Sequence, residues 1–427
     1  MTTEKLTNAL ALPSSIQLLE EMYGKGKSSI NAERYMEIAE GFKATFGDKE
    51  FELFSSPGRT EIGGNHTDHN HGKIVAGSVH MDCIAAAAAN DTDVIRIVSQ
   101  TYNQDITIDL NNLEPEEPYA GTCALLKGIL KGLKDRSYTV KGFDVYTTSN
   151  VPGGAGVSSS ASFEMLICTI VDYFWGGYKR DLIAYAKAGQ YSENVYWKKG
   201  SGLLDQLACA AGGIITIDFF NIADPKLKKL DCNFSELGLD LVIVNTGGSH
   251  ADLSEEYSSI PNEMKSVAKY FGKEVLADIS EADVIAHAKE IRETCGDRSF
   301  LRALHFFAEN RRVDKEVAAL EAKDKAAFLS TVTASGNSSW KWLQNCYVNS
   351  MPEVQNITCA LALAETYLAD IPESACRVHG GGFAGVIAAF VPKSETENFC
   401  TYMNTALGGE MAFVMHIRQQ GSVHVEF

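Results

Sequence analysis

A loop of small residues followed by an apolar segment of helical length is the feature that most constrains this chain. Residues 151–162 read VPGGAGVSSSAS, and the apolar run that follows extends from Phe163 to Trp175. Such a loop lies at a helix N-terminus, where unpaired backbone N–H groups and the positive end of the helix dipole face outward. Glycines let the backbone approach a phosphate closely, and serines add hydroxyl donors and oxygen ligands for magnesium. The segment therefore predicts a binding site for nucleotide phosphates.

This loop differs from the commoner phosphate-binding loops. No Gly-Lys-Ser or Gly-Lys-Thr follows the glycines, which excludes a Walker-type NTPase, and the pattern matches a dinucleotide fingerprint poorly. A Gly/Ser-rich surface loop is the alternative interpretation, and it would account for the glycines alone. The serines placed directly before a long apolar helix favour the phosphate site.

Composition and charge indicate the general class of the protein. The chain has 427 residues, which is long for one domain, and its 45% hydrophobic and 22% charged residues are ordinary for a globular enzyme. A net charge of -17 argues against nucleic acid or an anionic membrane as a partner. The ten cysteines form no Cys-x-x-Cys pair, and no run of about 20 apolar residues could span a bilayer. We therefore expect a cytoplasmic, two-domain enzyme that acts on small molecules.

The order of helical and strand-like segments predicts an α+β fold. Strands and helices are mixed without strict βαβ alternation, which favours two α+β domains, over 1–230 and 231–427. Helices are expected over 14–47, 119–134, 180–198, 262–271 and 283–334, and strands over 143–148, 213–219, 239–245 and the end of 377–392. The run Ala85–Ala89 has helical propensity, but its β-branched neighbours leave a strand open. We expect the polar segment Pro225–Leu230 to cross between the domains and Phe413–Phe427 to return to the first.

A short glycine-broken turn concentrates polar residues that suit ligand binding. Residues 56–70 read SPGRTEIGGNHTDHN, which places Arg, Glu, Asn, Asp and two His in one turn. Asp68 and the neighbouring histidines could hold a metal ion. The alternative is hydrogen bonding to a polyol, which needs donors and acceptors converging from a rigid turn. For any single one of these residues, a polar surface turn is the simpler interpretation.

Two further segments have the chemistry to complete a site. Asp205 lies between a glycine turn at 200–202 and an apolar stretch, so we expect it to be half buried. A buried carboxylate is costly unless it is paired, and Arg59 is a candidate partner, although a helix-capping role explains Asp205 equally well. The segment 377–385, RVHGGGFAG, is either a flexible hairpin or a backbone that closes against substrate or phosphate.

Together these segments resemble the galactokinase branch of the GHMP small-molecule kinases. The turn at 57–69 is similar to the signature Pro-Gly-Arg-Val-Asn-x-Ile-Gly-Glu-His-x-Asp-Tyr, and 152–161 is similar to the nucleotide loop of that family. Three later segments resemble, in turn, the stretch with the catalytic aspartate, the Asn-Ser…Ser-Glu-Tyr stretch and the Gly-Gly-Gly-Phe-Gly-Gly turn; they are 203–206, 245–257 and 380–385. The five matches follow the family's order, and as a set they are highly specific.

The resemblance implies ATP-dependent phosphorylation of the anomeric hydroxyl of a sugar, with galactose expected first. By position, Asp205 is the catalytic carboxylate that accepts the hydroxyl proton, while Arg59 keeps it ionised and stabilises charge near the transferring phosphoryl group. Ser160 and Glu193 match the family's magnesium ligands, and hard oxygen ligands suit that ion. The triphosphate would lie in the loop formed by Gly153, Gly154, Ala155, Gly156, Val157, Ser158, Ser159 and Ser160. The implied cofactors are ATP and Mg²⁺, and we expect a monomer.

The same resemblance implies a set of sugar contacts. These positions are Glu61, Asn65, His66, Asp68, Gly213 and Tyr257. Asn65 stands where galactokinases have a Glu expected to bind the C6 hydroxyl, Glu61 stands where they have Asn, and His379 replaces a Thr. Because Asn can donate a hydrogen bond to a 6-carboxylate whereas Glu cannot, galacturonate is an alternative substrate, as is a sugar altered at C2 such as N-acetylgalactosamine. Only Tyr119 is a candidate for contact with adenine.

Two other functional classes are weighed against this interpretation. A non-catalytic sugar sensor would resemble the family but lack a Ser-Ala step in the nucleotide loop. Here the segment 158–162 is complete, and Asp205, Arg59 and Glu193 are all present, which favours an enzyme. A kinase for mevalonate or homoserine is disfavoured by the segment 66–68, which belongs to the galactokinase branch.

Overall fold

Two β-sheets, each with helices packed on both faces, organise the chain. The computed structural model describes residues 1–117, 119–153, 156–248 and 253–427. Within these ranges the strands form one sheet of eight and another of four, and separate apolar clusters line the two faces of each sheet. This arrangement confirms the predicted α+β architecture, because each sheet buries both of its faces against helices.

The larger sheet contains every strand before residue 231 and one strand from the C-terminus. Its strands are β1 (Glu52–Gly63), β2 (Lys73–Ala89), β3 (Val94–Ser99), β4 (Gln104–Asp109), β5 (Phe143–Ser149), β6 (Ile214–Asp218), β7 (Lys226–Leu230) and β12 (Val423–Val425). They follow the order β12-β1-β2-β5-β3-β4, with β6 beside β2 and β7 beside β6. The predicted return of the C-terminal segment is confirmed for β12, which pairs antiparallel with β1.

Two groups of helices cover this sheet. They are α1 (Thr3–Leu10), α2 (Pro13–Tyr23) and α3 (Ser28–Phe46) on one face, and α4 (Gly121–Lys134), α5 (Ser159–Val171), α6 (Leu182–Tyr191) and α7 (Leu204–Ala211) on the other. The N-terminus of α5 follows the glycine and serine loop directly, as the sequence predicts. α7 begins just before Asp205, so the two helices present the loop and the aspartate to the same region.

The alanine run in β2 shows how tertiary packing overrides helix propensity. Ala86 packs with the helices of the α1–α3 face, whereas Ala85 and Ala87 pack with the opposite face, and all three are fully buried. Successive side chains of a strand point to opposite faces, so a strand between two helical layers needs apolar residues at every position. Small side chains let both layers approach closely, and the strand interpretation is correct.

The smaller sheet and the remaining helices come from the second half of the chain. The strands are β8 (Leu239–Asn245), β9 (Ala375–Val378), β10 (Val386–Pro392) and β11 (Ala412–Met415), in the order β11-β8-β10-β9. The helices are α8 (Ser254–Tyr270), α9 (Glu281–Ala286), α10 (Ala288–Cys295), α11 (Asp297–Glu321), α12 (Lys325–Ser338), α13 (Asn356–Leu368) and α14 (Thr396–Leu407). Phe390 faces the α12 side of this sheet and Ala389 the α13 side, again with a period of two.

One expectation about the chain path is wrong. The segment Pro225–Leu230, expected to cross between domains, contains β7, which pairs antiparallel with β6 at the edge of the larger sheet. Leu227 and Leu230 pack against different apolar clusters on opposite faces of the strand, whereas Lys226, Lys228 and Lys229 are exposed. Exposed charged residues are typical of an edge strand. Across the part of the chain that the structure describes, every helix is too short or too polar to cross a bilayer.

Candidate active site

A cleft lined by residues from both halves of the chain gathers the two predicted catalytic residues and most of the predicted sugar contacts. Its volume is about 240 Å³. The lining residues are Arg59, Glu61, His66, Asp68, His69, Glu193, Lys199, Gly200, Ser201, Gly202, Leu204, Asp205, Gln206, Tyr257, Gly380 and Gly381. The signature turn, the segment 199–206 at the start of α7 and the glycine turn at 380–385 therefore meet in one place, although they are far apart in sequence.

Asp205 and Arg59 form an ion pair on the wall of this cleft. Both Nε and Nη2 of Arg59 lie 2.8 Å from Oδ1 of Asp205. The Asp205 side chain keeps 31% of its surface exposed, whereas that of Arg59 keeps 10%. Burial acts to raise the pKa of Asp205, but the Arg59 guanidinium and the Ser158 hydroxyl outweigh it and hold that pKa below its ordinary value. The carboxylate is therefore ionised and open to the cleft.

The predicted nucleotide loop lies directly against this ion pair. The Ser158 hydroxyl donates to Oδ2 of Asp205, and Nη1 of Arg59 donates to the carbonyl oxygen of Gly156. The backbone N–H of Arg59 also donates to the carbonyl oxygen of Val157, at 3.0 Å. Ser158 has a φ of 57°, an unusual conformation for a residue other than glycine, and such strain is typical of functional sites. Three hydrogen bonds thus tie the loop to the two predicted catalytic residues.

The rest of the loop is described in part. A side chain placed at Gly153 would meet no atom within 4 Å, so open space lies beside the backbone there. Gly154 and Ala155 lie outside the described residues. Ser159 and Ser160 form the first turn of α5, where backbone N–H groups have no partner within the helix.

Ser160 and Glu193 meet, as a shared metal site would require. The Ser160 hydroxyl donates to Oε1 of Glu193 at 3.0 Å, and the Lys199 ammonium donates to the same oxygen at 2.7 Å. Glu193 lies in a π-helical turn that follows α6, and turns of this kind often occur at functional sites. No group of three or more His, Cys, Asp or Glu among the described residues could hold a metal ion. One carboxylate and one hydroxyl do fit Mg²⁺ in a kinase, because that ion keeps waters and phosphate oxygens as its other ligands.

His66 of the signature turn and Tyr257 of α8 both contact the glycine turn at 380–385. Nε2 of His66 donates to the carbonyl oxygen of Gly381 at 2.8 Å, and the Tyr257 hydroxyl donates to that of Gly382 at 2.7 Å. The Tyr257 ring lies so close to Gly381 that any side chain there would collide with it. Asp68 lines the same wall with 12% of its side chain exposed. These convergent donors and acceptors suit a polyol better than a metal ion.

Asn65 belongs to the signature turn but does not line the cleft. Its amide nitrogen donates to Oε1 of Glu61 at 3.0 Å and to the carbonyl oxygen of Gly380 at 2.6 Å. Its amide oxygen accepts from Asn345 at 2.9 Å and from the Ser339 hydroxyl at 3.2 Å. The side chain is fully buried, and these four bonds use its full capacity. The neighbouring Glu61 is the side chain that reaches the cleft.

Gly213 is also separate from the predicted sugar contacts. Its N–H donates to the carbonyl oxygen of Arg418 at 2.7 Å, and its own carbonyl oxygen accepts from the Ser78 N–H at 3.0 Å. A side chain here would lie 2.5 Å from Lys229 and 2.9 Å from Gln419. With a φ of 69°, the position needs glycine because the C-terminal segment packs over it, and a sugar contact is not required to explain it.

A second cavity, of about 160 Å³, lies beside Ser159 and Ser160 and was not predicted from the sequence. Trp197, Tyr102 and Phe163 supply its aromatic wall. The other lining residues are Cys83, Ile97, Ser99, Gln104, Ile106, Thr122, Leu125, Thr147, Thr148 and Ser149. The candidate Tyr119 is not among them; its ring instead lies under the Lys198 ammonium at 4.8 Å. Because the lining comes from β2, β3, β4, α4, β5, α5 and Trp197, no single local motif marks the whole cavity.

Two cationic residues of the site were also missed. Lys199 pairs with Glu193, and the only signal for it is a pair of lysines before the glycine turn at 200–202. Arg377 is buried, with Nη2 at 3.2 Å from Oε1 of Glu61 and Nη1 donating to the Ile62 carbonyl oxygen at 2.9 Å. Burial raises the pKa of Glu61, although Arg377 acts to lower it. A single Arg beside a glycine turn gives no sign in the sequence that it lies behind a cleft wall.

Two family models match separate parts of the chain. The model of the galactokinase galactose-binding signature matches residues 40–89, and that of the GHMP kinases N terminal domain matches residues 124–213. The first range contains Arg59 and the whole signature turn. The second contains the nucleotide loop and Asp205. The matches therefore cover the two segments that the structure brings together at the ion pair.

Individual proteins of known name are similar over most of the chain. A galactokinase of Actinobacillus pleuropneumoniae serotype 3 is 27% identical over 366 residues, which cover 84% of this chain and 89% of that protein. A galactokinase of Streptococcus thermophilus is 29% identical over 378 residues, covering 85% and 91%. The crystal structure of Lactococcus lactis galactokinase complexed with galactose aligns with a TM-score of 0.78 at 25% identity, covering 92% and 100%. A mevalonate kinase structure shares the fold at 16% identity, with a TM-score of 0.59 and coverage of 86% and 99%.

Proposed function

Because the chain belongs to the galactokinase branch of the GHMP kinases, we propose that it is an ATP-dependent kinase that converts galactose to galactose 1-phosphate. The observation that carries this proposal is the cluster of Arg59, Asp205 and Ser158. It joins the nucleotide loop to the polar wall of the cleft by direct hydrogen bonds. A phosphoryl donor in the loop and a sugar hydroxyl in the cleft would meet at this cluster.

In the reaction that we propose, the anomeric oxygen of the sugar attacks the γ-phosphorus of ATP. The bond from that phosphorus to the bridging oxygen breaks, ADP leaves with the electron pair, and the hydroxyl proton passes to Asp205. A carboxylate with a lowered pKa is a weak base, but phosphoryl transfer has a loose transition state in which the proton is needed only late. Arg59 keeps Asp205 ionised and provides positive charge near the transferring group.

Ser160 and Glu193 are the residues that we propose to hold Mg²⁺. When bound, the ion would neutralise charge on the phosphates that bridge to it. The 3.0 Å contact between the two side chains places both oxygens within reach of one ion, and the Lys199 ammonium is paired with the Glu193 carboxylate at 2.7 Å. We assign the adenine to the aromatic cavity of Trp197, Tyr102 and Phe163, since it adjoins the first turn of α5.

The cleft wall supports galactose over a sugar with a 6-carboxylate. The argument for galacturonate depended on Asn65 as a donor toward C6, but the Asn65 amide is buried and fully bonded. The carboxylates of Glu61 and Asp68 line the wall instead. Carboxylates accept hydrogen bonds from hydroxyl groups and repel another carboxylate, so a neutral sugar fits this wall better.

The test is release of ADP from ATP and magnesium over a panel of galactose, N-acetylgalactosamine, galacturonate, arabinose and glucose, with Asp205→Asn as the control. We expect turnover on galactose that the control lacks. Faster turnover on galacturonate or N-acetylgalactosamine would overturn the choice of substrate. Binding of galactose without turnover on any sugar would favour the alternative of a non-catalytic sugar sensor.

A cytoplasmic location and a monomeric state belong to the same proposal. The first is supported by the substrate, because ATP is supplied inside cells. Fractionation of cells that express the chain, followed by detection with an antibody, checks the location. Sedimentation at several concentrations checks the oligomeric state, and a single species of 46.4 kDa is the expected result.

A further inference from the structure

His379 is a buried histidine whose tautomer is fixed by its neighbours. It follows β9 directly and is 2% exposed. Nε2 accepts a hydrogen bond from the backbone N–H of Glu61 at 3.1 Å and lies 2.9 Å from the Thr60 hydroxyl. A backbone N–H can only donate, so Nε2 carries no proton, and the ring proton of a neutral imidazole must lie on Nδ1. Burial, with Arg59 and Arg377, holds the pKa of His379 well below its usual range, which keeps the ring neutral.

The N–H of Nδ1 lies beneath the nucleotide loop and has no partner among the residues that the structure describes. A Cβ built on Gly156 would lie 3.3 Å from Nδ1 and 2.7 Å from Val386, so the ring packs directly against the loop backbone. The carbonyl group of Gly156 already accepts from Arg59. Buried N–H groups without a partner are rare in folded proteins, and each one calls for an explanation.

We propose that His379 is a positioning residue that links the nucleotide loop to the sugar wall. Its Nε2 holds the β1 backbone at Glu61, whose side chain lines the cleft. Its Nδ1–H donates to the second lone pair of the carbonyl oxygen of Gly156, the loop residue against which the ring packs, when a nucleoside triphosphate is bound. The donor is unpartnered in the nucleotide-free chain, so the bond adds to affinity for the nucleotide. The inference rests on the proposed function in one respect, which is that the loop 153–160 holds the triphosphate.

Two variants separate the ring nitrogens of His379. Gln places its terminal amide near Nε2 and loses the donor at Nδ1, whereas Asn places its amide near Nδ1 and keeps that donor. We expect His379→Gln to raise the KM for ATP about tenfold, with the KM for galactose and kcat changed less than threefold, and His379→Asn to keep the KM for ATP within about threefold. His80→Gln is the matched control, because it removes another largely buried imidazole, whose Nδ1 accepts from the backbone of His416 at 3.2 Å.

The kinetic result would overturn the proposal if His379→Gln left the KM for ATP unchanged, or if it raised both Michaelis constants alike. Thermal shift with Mg²⁺ and a non-hydrolysable ATP analogue gives a readout that needs no turnover. There we expect the nucleotide-induced rise in Tm to shrink in His379→Gln and the galactose-induced rise to persist. If the chain phosphorylates a sugar other than galactose, the wild type should still show the nucleotide-induced rise in Tm. An error in the proposed substrate can therefore be told apart from an error in the role of His379.

One measurement on the wild-type chain covers the case in which the variants do not fold. ¹⁵N NMR of the histidine side chains should show the His379 imidazole with its proton on Nδ1, assigned by its absence from His379→Asn or by selective labelling. The exposed His287, whose Nδ1 donates to the Asp283 carbonyl oxygen at 2.9 Å, has the same tautomer and serves as the internal reference. We expect the His379 N–H resonance to move downfield when the ATP analogue binds and to stay in place with galactose alone. A resonance that does not respond to the nucleotide would contradict the proposal.

Discussion

Asp205 and Asp82 are both paired with arginine, yet only one of them is open to solvent. Asp205 pairs with Arg59 at 2.8 Å and keeps 31% of its side chain exposed. Asp82 pairs with Arg34 and Arg418 at 2.9 Å each and has no exposure at all. In both cases burial acts to raise the pKa, and the arginines outweigh it and hold the pKa below its ordinary value. The chemistry of the pair is therefore the same, and access decides what the carboxylate can do.

The buried cluster around Asp82, called the sealed cluster below, connects parts of the fold that are remote in sequence. Its other members are Arg34, Arg418, Tyr23 and Ser55. Asp82, in β2, also accepts hydrogen bonds from the hydroxyl groups of Tyr23 in α2, at 2.6 Å, and Ser55 in β1, at 2.5 Å. Arg418 reaches it from the C-terminal segment. With every approach occupied by a donor, this carboxylate has no room for a substrate and serves the fold. Asp205 has fewer neighbours, and the open side of its carboxylate faces the cleft.

The largest expected effect comes from Asp205→Asn. The amide cannot accept the hydroxyl proton, so we expect kcat on galactose to fall at least about 10³-fold, or about 4 kcal/mol. Binding of sugar and of Mg²⁺ with ATP should persist, because the loop keeps its other contacts. Coupled ADP-release assays measure the loss, and calorimetry measures binding. A kcat within tenfold of the wild-type value would show that Asp205 is not the catalytic base, and its comparison with Asp82 would then say nothing about catalysis.

Asp82→Asn should damage the fold and spare the chemistry. The substitution leaves two buried guanidinium groups without a counter-charge, which typically costs about 3–5 kcal/mol. We expect the free energy of unfolding, measured with urea, to fall by that amount. The kcat of the folded fraction should stay within about twofold of the original value. A large fall in kcat with normal stability would show that the sealed cluster reaches the reaction.

The ion pairs of Asp82 with Arg34 and Arg418 predict how the free energy of unfolding depends on pH. Because the pKa of Asp82 is lower in the folded than in the unfolded chain, its contribution is fully present above the unfolded value of about 3.9. The contribution is lost as the pH falls through the lower folded value. Urea unfolding at a series of pH values should therefore show a steep loss of stability at acid pH. Asp82→Asn should flatten that loss, and an unchanged slope would argue against the ion pair as its source.

The two clusters also mark what sequence reasoning can reach. The loop, the signature turn and Asp205 each follow a local pattern, so their positions and the α+β class were predictable. Asp82 lies in the apolar strand β2 with no motif around it, and its partners Arg34 and Arg418 are hundreds of residues apart in the chain. The C-terminal segment, with Arg418, returns to the larger sheet through the antiparallel bridge of Ile417 with Val79 in β2 and through the pairing of β12 with β1. No local signal records a contact that depends on the whole topology.

Asn65 shows the other limit of sequence reasoning. The signature predicts that the turn faces a ligand, but it does not predict which side of the turn each residue faces. That depends on Gly64 and His66, whose φ values of 92° and 61° reverse the backbone on both sides of Asn65. It also depends on partners in the second half of the chain, such as Asn345. A departure from the family pattern at Asn65 therefore concerns packing behind the wall, and the cleft itself presents Glu61.

A smaller effect is expected at the proposed metal site. Ser160→Ala removes one oxygen ligand and leaves Glu193 paired with Lys199, so we expect the Mg²⁺ concentration for half-maximal rate to rise about 10- to 100-fold. Saturating Mg²⁺ should restore much of the rate. Titration of Mg²⁺ at fixed ATP, with correction for the ion bound by free ATP, gives the measurement. An unchanged Mg²⁺ response would count against Ser160 as a ligand.

The smallest effects are expected when one hydroxyl group is removed beside each aspartate, that of Ser158 beside Asp205 and that of Ser55 beside Asp82. Ser158 donates to Asp205 and lowers its pKa, so Ser158→Ala should raise that pKa. Since the ionised form is the base that we propose, the acid limb of kcat/KM should move to higher pH, with a loss of about 2- to 10-fold.

Ser55→Ala is the matched change at Asp82, where the hydroxyl of Ser55 donates to the sealed carboxylate. Because the site is buried, we expect a loss of about 1–3 kcal/mol in the free energy of unfolding and no movement of the acid limb. If Ser55→Ala moved the limb as far as Ser158→Ala, access would not be what separates the two aspartates. If neither moved it, the titrating group would not be Asp205, and the acid limb would have to be assigned to another group in the cleft.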